Sequence, residues 1–348
     1  MNFRSPRSCV VALCTLAVAA GSASAQSATL TGAGSSFAYP IYTKWAAMYA
    51  QRTGVQVNYQ SIGSSGGIRQ LSDETVDFGA SDGPMTDEQI AKAKSGPILH
   101  FPTVLGAVSV TYNLPELHSP IELTGPVLAD IYLGTVTRWN DQRIAALNPG
   151  VRLPAQDILV VHRADGSGTT FIFTDYLSKV SQHWAAHPGK AQAIDWPVGL
   201  GGKGSDGVAG LVKQTPGAIG YVELSYAKQN HLPSALIQNA AGVFVPPTIA
   251  GVTAAAAGAV KTLPANTDYR ISIVNAPGRA SYPISSFTWI LVYQNPPKPE
   301  AGKQLVDFLR WVYEHGESVA ASLEYAPLPE PMRRALVKRL GDVNLVSQ

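Results

Sequence analysis

Val161-His162-Arg163-Ala164-Asp165-Gly166-Ser167-Gly168-Thr169-Thr170 is the stretch whose reading decides the fold. The apolar run Ile158-Leu159-Val160-Val161 leads into it and reads as a buried strand. Behind it, Thr170 to Val180 carries Phe171, Phe173, Tyr176 and Leu177 in a helical pattern. A strand therefore delivers a turn rich in glycine and hydroxyls, and that turn opens a helix. Helix N-termini present unpaired N–H groups and partial positive charge, which suits an anion. Ser167 and Thr169 add hydroxyl donors, while Gly166 and Gly168 allow close backbone approach. Arg163 adds a planar, permanently charged fork that fits a tetrahedral oxyanion. Asp165, two residues on, shares a face with Arg163 in extended chain and would fix its orientation. The same residues also read as an ordinary N-cap and turn with a surface ion pair, so the rest of the chain has to decide.

The chain has 348 residues. Its start reads as an export signal: Arg4 and Arg7 are basic, Cys9 to Ala20 is apolar, and Ala23-Ser24-Ala25 is a small-residue cleavage site. The apolar run is too short for a comfortable membrane span. Cys14 does not read as a lipidation site, because Leu13 precedes it where a small residue is expected. Cleavage after Ala25 removes both cysteines, so the mature chain would hold no disulfide and no Cys-based metal site. It also removes Arg4 and Arg7, leaving 24 basic residues against 24 acidic ones. A balanced charge argues against nucleic acid or an anionic membrane surface as partner. Any anion must be captured by local geometry.

Further strand, Gly/Ser turn and helix units precede the decisive stretch. Leu30-Thr31-Gly32-Ala33-Gly34-Ser35-Ser36-Phe37 runs into a helix from Pro40 to Arg52, capped by Gly54. Val55 to Tyr59 alternates as a strand and meets Ser61-Ile62-Gly63-Ser64-Ser65-Gly66-Gly67, after which a helix begins at Ile68. Thr75 to Asp82 is a strand ending in Ser81-Asp82-Gly83-Pro84, with a helix from Thr86. Phe101 to Asn113 and Tyr282 to Tyr293 are long apolar strands, placed to carry the chain out to a second lobe and back. Later helices are expected at Leu123–Tyr132, Val208–Gln214, around Leu305–Val312 and at Glu330–Leu340, with Ile249–Val260 an Ala-rich surface helix. Alternation of strands and helices argues an α/β fold.

Other motifs carry less. Gly63-x-Ser65-x-Gly67 fits the nucleophile elbow of serine hydrolases, but no convincing downstream histidine accompanies it. Gly199, Gly201 and Gly204 spell G-x-G-x-x-G, yet no strand clearly enters it and Pro197 intervenes. His183 and His187 stand at i,i+4 with no third ligand in a recognisable motif, so no metal site and no cofactor are expected.

Arg163-Ala-Asp-Gly-Ser-Gly-Thr169 resembles the anion loop of the periplasmic phosphate-binding proteins that serve ABC-type phosphate uptake. The likeness runs along nearly the whole mature chain, through Leu30–Gly34, Ile62–Gly67, Val76–Asp82, Asp130–Gly134, Gly199–Gly204 and Pro216–Val222. It implies a two-lobed periplasmic-binding-protein fold of type II, each lobe a β-sheet flanked by helices and joined by two crossing strands. On that reading residues 26–112 and 283–348 form lobe I and residues 113–282 form lobe II. The resemblance further implies no catalysis and a monomer that hands inorganic phosphate to the permease and ATPase subunits of an ABC transporter. Carried over position by position, Ser36 and Phe37 would bind phosphate through backbone N–H, with the Ser36 hydroxyl adding a bond. Ser64 would donate from the second loop, and Arg163, Ser167, Gly168 and Thr169 from the other lobe. Asp82 would be the single acceptor, and Asp165 would orient Arg163 from behind. Ser36 departs from the threonine often found there but keeps the hydroxyl, and Ser61 stands where glycine is frequent. The alternatives kept open are another tetrahedral oxyanion, such as sulfate or molybdate, and a serine hydrolase or phosphatase acting through Ser65.

Overall fold

The structure, a computed structural model, describes residue 1 and residues 29–260 and 267–345. The export signal, its cysteines and the cleavage point after Ala25 lie outside the described residues.

The chain opens with β1 (Thr29–Gly34), α1 (Tyr39–Thr53), β2 (Gln56–Ser61), α2 (Ser64–Ser72), β3 (Phe78–Ser81) and α3 (Asp87–Ala91). The long β4 (Ile98–Tyr112) follows, then β5 (Glu122–Leu123), α4 (Gly125–Tyr132) and α5 (Gln142–Leu147). Next come β6 (Leu159–Arg163), α6 (Gly168–Val180), α7 (Gln182–Ala186), β7 (Leu200–Gly202), α8 (Gly204–Gln214) and β8 (Ala218–Glu223). The sequence continues through α9 (Leu224–Gln229), β9 (Leu236–Gln238), β10 (Phe244–Val245) and α10 (Ile249–Val260). It closes with β11 (Ser285–Tyr293), α11 (Pro299–His315) and α12 (Glu330–Arg339).

Eight strands form one sheet in the order β2-β1-β3-β11-β4-β8-β6-β7, and β10-β9-β5 form a small second sheet. β1 pairs in parallel with β2 and β3, and β6 pairs in parallel with β7 and β8. The two parallel groups are joined through antiparallel pairing of β11 and β4. β4 faces β11 from Ile98 to Ala107, then changes partner and faces β8 from Val108 to Tyr112. One strand thus belongs to both halves of the sheet. The physical reason lies in its composition: β4, β8 and β11 are buried almost throughout, as strands covered on both faces must be.

Helices cover the sheet by their apolar stripes. α1 enters with Pro40 in its first turn, leaves through Gly54 at φ 78°, and buries Ile41, Tyr42, Trp45 and Tyr49. Tyr49 meets Phe308 and Trp311 of α11 at ring separations of 5.1 and 5.5 Å. α10, expected on the surface, presses Val252, Ala255 and Ala256 onto β4 and β11 instead. Its alanines are small enough to let the helix approach the crossing closely.

Three helices begin earlier than the hydrophobic pattern predicts: α2 at Ser64 rather than Ile68, α6 at Gly168 rather than Thr170, and α8 at Gly204 rather than Val208. Glycine and serine have low helix propensity, so they read as turn. Here they are the first helical turn. The Gly199–Gly204 stretch also corrects the sequence reading, because Leu200–Gly202 is itself the edge strand β7, paired with β6.

Candidate functional site

The carboxyl ends of β1, β2, β3, β6 and β7 converge, and the helices after four of them start there. This is the position at which open α/β sheets take ligands. Ser35, Ser36 and Phe37 occupy the turn between β1 and α1, and all three are essentially inaccessible. Three tyrosines hold that turn by its carbonyls: Tyr59 donates to Ser35, Tyr226 to Ser36 at 2.7 Å, and Tyr325 to Phe37. With the carbonyls so engaged, the N–H groups of Ser36 and Phe37 donate to no described acceptor. Buried N–H groups without partners are rare, and successive ones in a turn suit an anion.

Asp82, set among these donors, is 1% exposed. Ser35 Oγ donates to Oδ1 at 2.5 Å and Thr288 Oγ1 at 2.8 Å, while Ser64 Oγ lies 3.4 Å from Oδ2. Burial pushes its pKa up to about 6, against the pull of the Ser35 and Thr288 hydroxyls, the Arg163 charge and Ser64. Thr288 is aimed there by an irregularity in the β4–β11 pairing: Thr288 faces Val104 and Trp289 faces Pro102, so Thr103 is the extra residue. Pro102 lacks the N–H that a central strand would use, which makes a bulge the natural accommodation.

Arg163 ends β6 with its side chain 1% exposed. Asp165 grips it bidentately, Nε to Oδ1 at 2.7 Å and Nη2 to Oδ2 at 2.5 Å. Burial opposes ionisation of Asp165, but the Arg163 hydrogen bonds and charge and the Gly204 N–H outweigh it and hold the carboxyl below its usual range. Nη1 is left pointing inward, with only long contacts to Thr169 Oγ1 at 3.4 Å and Ser205 Oγ at 3.5 Å. Ser167 caps α6, its Oγ accepting from Thr170 N–H at 3.1 Å, which leaves its own proton to donate.

The two ends of the sheet meet at this point. Gly168 N–H donates to Ser64 Oγ at 3.0 Å, and Ser36 Oγ lies 3.0 Å from Ser205 Oγ. A Cβ on Gly168 would stand 2.5 Å from Ser64 Oγ and 2.6 Å from Asp82 Oδ2, so no larger residue fits.

All eight proposed ligands therefore lie in one buried cluster, with the half-buried Asp165 at its edge. Sequence reasoning missed Ser35, Thr288 and Ser205. Ser35 and Ser205 sit in Gly/Ser runs that the loops already advertised, whereas Thr288, in mid-strand, gave no signal. Ser65 does not meet the requirement of the elbow reading: its hydroxyl donates to the Gln192 carboxamide at 2.7 Å, a group without basicity. His183 and His187 bring their rings within 4.7 Å, yet among the described residues no three metal-ligating side chains come together.

A profile described as the PBP superfamily domain matches residues 19–315. The chain is 47% identical over 306 residues to the phosphate-binding protein PstS of Pasteurella multocida, covering 88% of each. It is 44% identical over 306 residues to the PstS of Haemophilus influenzae, covering 88% of this chain and 90% of that one. Among solved structures, the phosphate-binding protein of Stenotrophomonas maltophilia superposes with a TM-score of 0.70 at 18% identity, covering 90% of this chain and 94% of that one. That likeness establishes the fold as the two-lobed type II arrangement.

Proposed function

This chain belongs to the PBP superfamily and, within it, to the PstS phosphate-binding proteins, and from that premise we propose that it binds inorganic phosphate and delivers it to an ABC importer. The observation that carries the reading is one buried carboxylate, Asp82, set among donors. An ionised carboxylate only accepts, so the oxyanion it faces must bring a proton. Hydrogen phosphate and dihydrogen phosphate do so; sulfate at neutral pH does not. A sulfate would set a like charge against Asp82 without a hydrogen bond, at a cost of several kcal/mol, or roughly a hundredfold and more in affinity.

On this reading Ser36, Phe37, Ser64, Arg163, Ser167, Gly168 and Thr169 donate to the ligand, Asp82 accepts from it, and Asp165 orients Arg163. The donors come from both halves of the sheet, as a ligand enclosed between two lobes requires. We place residues 26–112 and 283–348 in lobe I and residues 113–282 in lobe II. The change of β4 from β11 to β8 after Ala107 supports a crossing inside that strand. The protein acts as an exported monomer, cleaved after Ala25 and working in the periplasm. It catalyses nothing, and its partners are the permease and ATPase subunits of the importer. Titration calorimetry on the mature chain, unfolded and refolded to strip bound ligand, tests the reading. Tight one-to-one phosphate binding with sulfate silent supports it, and no heat with phosphate refutes it.

A further inference from the structure

Between α7 and β7 a segment of irregular backbone runs past the mouth of the site. Its main chain is fixed to one half of the molecule. The Gln192 carbonyl accepts from Ser167 N–H at 2.7 Å, Ala191 N–H donates to Thr174 Oγ1 at 3.3 Å, and Lys190 pairs with Asp175 at 2.9 Å. Trp196 stacks on His162 at 4.8 Å. The side chain of Gln192 reaches to the other half. Its Oε1 accepts from Ser65 Oγ at 2.7 Å, in the first turn of α2, and its Nε2 donates to Ser81 Oγ at 3.3 Å, at the end of β3.

The orientation of the carboxamide follows from its partners. Ser81 Oγ spends its own proton on the Gly83 carbonyl at 2.5 Å, so it offers Gln192 only an acceptor. Ser65 must then be the donor, and the amide has one consistent placement. Beside it, Ser65 N–H donates to the Gly166 carbonyl at 3.1 Å, a backbone bond across the same seam. Among the described residues the Gln192 side chain makes no hydrogen bond to Asp82, Arg163 or Ser64.

We propose that Gln192, with Ser65 and Ser81, is a latch that holds the two halves closed over the ligand without touching it. This rests on the phosphate-binding reading. The residue that the elbow pattern singled out as a nucleophile, Ser65, becomes one jaw of the latch. Both carboxamide hydrogen bonds cross the seam, so they exist only when the halves are together. Losing them favours opening and thereby ligand escape, while the encounter with the open form is unaffected. A ligand contact would behave otherwise, because its loss would also change which oxyanions are accepted.

The test is stopped-flow phosphate release and uptake on wild type, Gln192→Ala, Ser65→Ala and the double variant, with thermal melts to verify folding. The latch predicts koff about tenfold faster in Gln192→Ala from two lost neutral hydrogen bonds, kon within about twofold, and a double variant no faster than Gln192→Ala alone. It also predicts an unchanged preference for phosphate over sulfate. An unchanged koff, effects that multiply in the double variant, or a collapsed preference would each overturn it. Calorimetry on the wild type separates this idea from the functional reading: without phosphate binding that reading falls and the latch falls with it, whereas phosphate binding with a wild-type koff in Gln192→Ala overturns the latch alone.

Discussion

Gly168 donates its backbone N–H to the hydroxyl of Ser64 over 3.0 Å, joining the first turns of α6 and α2. These helices stand on opposite sides of the β4–β11 pair in one sheet. The bond brings a lone N–H from one lobe onto a hydroxyl from the other, with Asp82 alongside. Anything that thickens this contact separates the two halves of the site.

Gly168→Ala is the direct perturbation. Alanine suits a helix better than glycine by roughly 1 kcal/mol, so folding is expected to be unharmed. The added methyl collides with Ser64 and Asp82 only when the halves are closed. Phosphate affinity should fall by more than about tenfold while the melting temperature of the ligand-free protein holds or rises. Calorimetry and a thermal melt on the same sample measure both.

Arg163→Lys tests geometry against charge. Lysine keeps the charge but cannot take the bidentate grip of Asp165 while offering a further N–H inward. The substitution should cost about 2–4 kcal/mol of phosphate binding, comparable to removing a buried charge-assisted hydrogen bond. Asp165→Asn should weaken binding less, because Arg163 remains. Retention of full affinity in Arg163→Lys would remove the guanidinium from the ligand set.

The titration of Asp82 predicts a pH effect on selectivity. With its pKa pushed up to about 6 by burial, the group is ionised at neutral pH and increasingly protonated below that value. A protonated Asp82 donates, and so accepts a fully deprotonated oxyanion. Sulfate competition should therefore be negligible at pH 7.5 and appear as the pH falls below about 6. Ser35→Ala and Thr288→Ala each remove a donor to the carboxylate, which raises its pKa and should move the onset of sulfate competition to higher pH.

Glu317 predicts a pH effect on stability instead. It is 8% exposed, with Oε1 lacking a partner among the described residues and Oε2 accepting from Leu328 N–H at 3.2 Å. Burial pushes its pKa up to about 8 from an ordinary 4.5, against the pull of the Leu328 N–H and the Arg333 charge. The folded chain therefore holds a proton that the unfolded chain releases, and stability falls as the pH climbs from about 4.5 to 8. Glu317→Gln keeps the acceptor and cannot ionise. It should raise the melting temperature by about 2 °C or more at pH 9 and leave it unchanged at pH 4.

The loops were legible because their chemistry is local. Gly/Ser runs at strand ends mark helix N-termini wherever the chain goes next, and Arg163 with Asp165 needs only two residues of spacing. Asp82 read as a turn residue until the other loops gave it a partner set. What stayed hidden depends on long-range register. Thr288 reaches Asp82 across 206 positions beside the bulge at Thr103, and Gln192 reaches Ser65 across 127. No window of sequence contains either pair. The early helix starts stayed hidden for the opposite reason: local propensity pointed to turn, and convergence of the strand ends overrode it.

The most direct test of the account is the ratio of phosphate to sulfate affinity in wild type and Asp82→Asn, titrated by calorimetry at pH 7.5. Asparagine fills the same space, still accepts through its oxygen, and adds an N–H that can donate to sulfate. The account predicts a large ratio in the wild type that shrinks by about a hundredfold in Asp82→Asn, chiefly because sulfate now binds. An unchanged ratio would contradict it, since selectivity would then arise somewhere other than at Asp82.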